Sequence, residues 1–164
     1  MPTTHLVIIN DRAALSWVLS EQRMAFPAHR AHAVHAIKPG DEVLLYTTRG
    51  CFRSPTHDFG RVIGHATVSS PVRALDEPVV FRERHFTEGC EFTIHGLAPF
   101  RTGLVLRDHV HQLSVFPDPK TWSIRMRRAT LPLSPNDTML ILTKLRPYLT
   151  PYADAVSAYR WPAR

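Results

Sequence analysis

The sequence predicts an α+β fold, a curled mixed β-barrel with flanking helices. Short apolar, β-branched runs recur along the chain, and only two stretches carry clear helical spacing. A doubly wound sheet would need a helix between most of its strands, and this chain does not offer them. A length of 164 residues fits one core, and 44% hydrophobic against 21% charged residues gives enough apolar material to fold without metal or cross-links.

The first run, His5 to Ile9, reads as a buried strand that Asn10 and Asp11 stop. Asp11 is a good helix N-cap, and Ala14, Leu15, Val18 and Leu19 carry the three-to-four spacing of one apolar face. Pro27 is expected to end that helix. A Pro39-Gly40 turn precedes a strand from Glu42 to Thr47, and a loop from Thr48 to Phe59 leads to another, Arg61 to Val68. Alternation of side chains places further strands at Glu91 to His95 and at Trp122 to Met126. Ser134 as cap, Pro135 at the first helical position and Asp137 in the first turn start a second helix. It carries Met139, Leu140, Leu142 and Leu145, and Pro147 ends it. Residues 1–147 are therefore expected to form the domain. The tail 148–164, with Tyr152, Tyr159 and Trp161, is too aromatic for a solvated end and is expected to dock on it.

Twenty Lys and Arg against fourteen Asp and Glu give a net charge of +6, and most of the positive charge is Arg. A guanidinium fork suits phosphate and stacks on bases, although a G+C-rich genome produces the same bias without any ligand. The N-terminus lacks a basic start followed by a long apolar run, so no signal peptide is read there and the expected location is the cytoplasm. No segment approaches the length that spans a bilayer. Cys51 and Cys90 read as free packing thiols.

Four segments, LVIINDR, IKPGDEVLLYTTR, GRVIGHATV and WSIRMRRATLPLSPNDTMLIL, resemble in order and spacing the EVE domain family of the PUA-like superfamily, which is related to the YTH and ASCH domains. They run from Leu6 to Leu145. The loop from Gly50 to Phe59 and the tail after Pro147 lie outside the match. The resemblance implies a PUA-like barrel with helices at its side and a cleft for a flipped-out or single-stranded base. It also implies a reader of modified, for example methylated, bases in DNA or RNA, without catalysis and without a cofactor.

A base-reading pocket needs an aromatic wall, polar groups for the base edge and cations for the backbone. The expected wall is Tyr46 and Trp122, at strand ends in the matched segments, with Phe52 and Trp17 as secondary choices. Each could instead be a plain core aromatic. Asn10 and Asp11, where the first strand meets a helix N-terminus, are expected at the base edge, although Asp11 may do no more than cap. Thr47, Thr48 and Ser123 are further candidates. Phosphate contacts are expected from Arg125, Arg127 and Arg128 on a strand end, with Arg49, Arg53 and Lys120 nearby.

Two enzyme-like constellations compete. His29, His32 and His35 recur every three residues, and His109 and His111 are spaced as on one side of a strand. Steps of three do not hold one helical face and no Cys pair accompanies them, so no metal site is expected. Cys51 beside His57 or His65 lacks a visible acid or oxyanion feature. The alternatives to a nucleic-acid reader are a small hydrolase of a modified nucleoside, using Asp11, Asp41 or Glu42 with a His, and a protein-binding adaptor. A hydrolase needs an acid and base paired in the pocket, a reader needs a pocket joined to a basic face, and an adaptor would fill its pocket with its own side chains.

Overall fold

The apolar run at the N-terminus forms β1 (Thr4–Ile9) in a computed structural model that describes residues 2–27, 34–52, 59–81 and 83–160. Asp11 then caps α1 (Arg12–Glu21), its Oδ2 accepting the amide of Ala14 at 3.1 Å, and the helix buries Leu15, Val18 and Leu19. The helix stops well before Pro27. Gln22 adopts a left-handed conformation, φ 51°, and the chain turns into β2 (Arg23–Phe26). A glycine usually takes that position. Here tertiary ties hold Gln22, whose side-chain oxygen accepts the amide of Ile94 at 2.8 Å and whose carbonyl accepts that of Phe92 at 3.1 Å.

The strands read around the Pro-Gly turn form as β3 (Glu42–Thr47) and β4 (Arg61–Val68). Two long strands follow, β5 (Arg73–Phe81) and β6 (Arg84–Leu97), then β7 (Leu104–Val105), β8 (Thr130–Leu133) and β9 (Thr150–Pro151). The sheet order is β2-β6-β4-β3-β1-β8, with β5 and β9 also on β6 and β7 on β4. Among the described residues β1 and β3 form the only parallel pair, Thr4 opposite Glu42. The N-terminal part of β6 pairs with β2 and β5, and its C-terminal part with β4 and β9. One strand thus belongs to two directions of the sheet, and irregularities at Leu45/Tyr46 and His65/Ala66 add bend. The product is a curled mixed sheet, a half-barrel with a few flanking helices.

Side chains alternate across this sheet and feed two cores. Val7, Ile9, Val43, Leu45 and Ile63 face α1, joined by Phe92, Ile94 and the tail residue Tyr159. Leu6, Leu44, Tyr46 and Val62 face the other way, under Leu106, Leu113, Phe116, Ile141 and Leu145.

The stretch read as a strand from Trp122 is α2 (Trp122–Arg125). Asp118 accepts the amide of Lys120 at 3.1 Å, Pro119 opens a 3-10 turn, and that turn runs straight into the helix. The alternating pattern has no strand beside it to pair with. His109 and His111 likewise lie among 3-10 turns, not on one side of a strand. Ser134 does cap α3 (Pro135–Leu145), accepting the amide of Asp137 at 3.1 Å, and a 3-10 turn at Arg146–Tyr148 follows. A short α4 (Tyr152–Ala155) sits in the tail, where the Tyr152 hydroxyl donates to the Leu19 carbonyl at 2.5 Å and Tyr159 to that of Ala98 at 2.6 Å. No helix among the described residues is long and apolar enough to cross a membrane.

Two buried carboxylates pin loops to this frame. Asp41 accepts from His5 Nε2 at 2.8 Å and from the amides of Lys38 and Thr3. Burial alone would raise its carboxyl, but these donors outweigh burial and hold it below its ordinary 3.8. Asp137 accepts the amides of Ser114 and Val115, both at 2.9 Å, which ties the long 3-10 segment onto α3.

Candidate functional site

β1 ends at Ile9, and there the chain leaves the sheet to enter α1. On the same side β2, the β5–β6 hairpin and the segment before β8 come together around an open cavity of about 940 Å³. Its innermost lining is the first core itself. Val7, Ile9, Val18, Met24 and Phe26, all nearly buried, form the floor, with Met126 beside them. Asn10, Asp11 and Thr48 supply polar atoms where β1 and β3 end, and Phe81 and Phe86 stand on the hairpin. Arg84, His85, Arg127 and Arg128 are exposed and lie outermost. The lining thus grades from apolar to cationic, from inside to out.

The aromatic corner is held from behind. The Phe81 and Phe86 rings meet at 5.5 Å and 62°, and Trp17 packs on Phe81 at 6.0 Å and 69°. The Arg23 guanidinium sits 5.4 Å over the Trp17 ring, so α1 and β2 brace the hairpin through one stack. Trp17 is therefore a support and not itself part of the lining.

Of the residues expected from sequence, the structure brings Asn10, Asp11, Thr48, Arg127 and Arg128 to this cavity. It does not bring Tyr46 or Trp122, the expected wall. Tyr46 is 3% exposed in the second core, its hydroxyl lying where a side chain on Gly60 would have to be, and burial pushes its phenol up to about 12 against the opposing charge of Arg49. Trp122 packs on Phe116 at 5.8 Å in that same core. The physical reason is alternation. Tyr46 shares the sheet face of Leu44, which turns away from the cavity.

Phe52 is buried against Phe100, at 5.2 Å and 78°. Thr47 is buried with its hydroxyl toward the Arg61 carbonyl at 3.5 Å, and Ser123 is exposed on α2. Arg125 and Lys120, on α2 and the turn before it, and the exposed Arg49 are not among the lining residues. Arg53, His29, His32, His57 and Trp161 lie outside the described residues. Among the described residues no group of three or more His, Cys, Asp or Glu is placed to hold a metal.

Phe26, Phe81, Arg84, His85 and Phe86 are the lining residues that sequence reasoning missed. They stand on β2, on β5 and on the N-terminal half of β6, ahead of the Glu91–His95 stretch that the sequence places in a strand. The available signal was Phe81 to Phe86 itself, two phenylalanines flanking a short charged tip, which is hairpin-like.

The acid and histidine pairs sit elsewhere. His65 Nε2 donates to Glu42 at 2.7 Å, with Thr67 bridging Glu42 and His95, on the sheet face that carries Leu44; His5 and Asp41 pair beside the Pro-Gly turn. Neither pair lines the cavity. Burial raises the Cys90 thiol to about 12, and Cys51 is fully buried, so both are packing groups.

No protein-family model matches the chain, and comparison with curated proteins finds no match. Solved structures do match over nearly the whole chain. A hypothetical protein from Leishmania major superposes with a TM-score of 0.56 at 16% identity, covering 87% of this chain and 94% of that one. Human THYN1, solved in complex with 5-methylcytosine-containing DNA, gives 0.54 at 11%, covering 86% and 96%. The Mmi1 YTH domain, solved in complex with RNA, gives 0.52 at 9%, covering 88% and 78%. At these identities the likeness is one of fold, and the chain shares the PUA-like α+β fold that its sequence motifs resemble, the fold of EVE and YTH domains.

Proposed function

We propose that the chain is a non-catalytic nucleic-acid-binding module that takes a single modified base into the cavity. The observation that carries this reading is convergence: an aromatic corner, three polar side chains and three exposed arginines belong to one opening. In this reading Phe81 and Phe86 stack on the base, Asn10, Asp11 and Thr48 meet its edge, and Arg84, Arg127 and Arg128 hold phosphates. Structures of the same fold solved with 5-methylcytosine DNA and with RNA support it. The partner is DNA or RNA, no cofactor or membrane is involved, and the cytoplasm is the proposed site of action.

A hydrolase would need an acid and a base working as a pair in the cavity. Asp11 is engaged in capping α1, arginines line the same cavity, and the two close carboxylate–histidine pairs lie outside. An adaptor would have filled the cavity with its own side chains, yet about 940 Å³ stands open among the described residues.

The test uses Trp17, which touches Phe81 and so reports on the corner. Short single strands of DNA and RNA, plain and methylated at adenine or cytosine, are titrated while tryptophan fluorescence is followed. Saturable quenching that Phe86→Ala weakens supports the reading. Absence of binding to every strand at low salt overturns it.

A further inference from the structure

The cavity is larger than a base with a methyl group needs, and its floor is apolar. Pockets that enclose whole drug-sized ligands span roughly 300–1,000 Å³, and this one reaches about 940 Å³. Asn10 and the arginines of the lining are exposed, Thr48 is half-buried and Asp11 is buried, while Val7, Ile9, Val18, Met24 and Phe26 lie at 1–7% exposure on the floor. A ligand that fits this gradient has a charged end outward, a polar middle and an apolar inner end.

A methyl group does not use such a space. Burying one methylene-sized group fully is worth on the order of fourfold in affinity, and only where the walls close around it. Phe81 and Phe86 do not close. Their rings meet edge to face at 62° and make one corner, whereas a methyl clamp needs facing rings. Ala14 and Ala129 keep the sides low, and Met24 and Met126, unbranched and adaptable, suit a group of variable shape.

We propose that the feature recognised is a bulky apolar substituent on the base, of several carbons or one ring, seated against the inner floor. The proposal rests on the nucleic-acid reading of the same cavity. Phe81 and Phe86 then flank the base, and Val7, Ile9, Val18 and Met24 contact the substituent.

The full chain is titrated by fluorescence anisotropy with single-stranded heptamers in two series. One carries a central adenine that is plain, N6-methyl, N6-isopentenyl or N6-benzyl; the other a central cytosine with hydrogen, methyl or octadiynyl at C5. In at least one series the bulky forms should bind tenfold or more tightly than the methyl form, with methyl within about fivefold of plain. Ala14→Leu, or Ala129→Leu should the first fail to fold, narrows the inner space and should lower affinity for the bulky forms at least tenfold more than for the plain strand, erasing the preference. Equal binding of all forms, or a methyl form tighter than every bulky one, overturns the proposal and leaves the nucleic-acid reading standing. Failure of every heptamer to bind at low salt overturns both.

Discussion

In the proposed reading, Phe86 and Asp41 divide the work between binding and folding. Phe86 is half-buried at the cavity wall and touches Phe81, so Phe86→Ala should cost roughly 1–3 kcal/mol of base stacking and leave thermal stability little changed. A titration and a melting curve on the same variant check both halves. Asp41 touches no part of the cavity. Its carboxyl is held below 3.8 in the fold, so its contribution is complete above the unfolded value and disappears as pH falls through the lowered one. Asp41→Asn should therefore cost about 1–3 kcal/mol near neutrality, and the gap to the parent should narrow below about pH 4. Urea denaturation at pH 7 and pH 3 measures it, and a gap of constant size at both would contradict the assignment.

Elements differ in how far their own residues specify them. β1, α1, β3, β4 and α3 follow from local signals, because each has a cap, a turn or an apolar run of its own. β5 has none. It is exposed almost throughout and contains Asp76, Glu77 and Pro78, so only its pairing with β6 makes it a strand. β8 is four residues with a proline inside, tolerable because it lies at the sheet edge. The site inherits this division. Asn10, Asp11 and Thr48 sit at ends of legible elements, and the phenylalanines sit on the hairpin that only tertiary pairing defines. Tyr46 illustrates the limit from the other side, since a strand can be read correctly while the face it turns to the ligand cannot. The tie between Asp137 and the segment before it offers a test at this scale. Ser134→Ala removes one cap and should cost about 1 kcal/mol. Asp137→Ala keeps that cap, which takes the backbone amide of residue 137, but strands the amides of Ser114 and Val115 and should cost about 1.5–3 kcal/mol, measured by the same denaturation.

At the scale of the molecule, a net charge of +6 gives long-range attraction to any polyanion, and in the proposed reading the arginines at the cavity mouth give it a place. Binding of a single strand should weaken linearly on a log–log salt plot. Arg127→Ala and Arg128→Ala should each lower the slope by about 0.7, with little effect on the preference among bases; an unchanged slope would remove these residues from the phosphate contacts. The order in which the cavity can come into being follows from the pairing of β1 with β8, which joins Thr4 to Leu133. Arg127, Arg128 and Ala129 reach the cavity only because the next residues lock into β8. On a ribosome Asn10 and Arg84 emerge well before Arg127 and Arg128, so that part of the cationic wall waits for β8 to join β1. In the proposed reading full binding is thus acquired late, and a nascent or truncated chain that has not yet joined its first strand to β8 lacks two of its three phosphate-holding arginines.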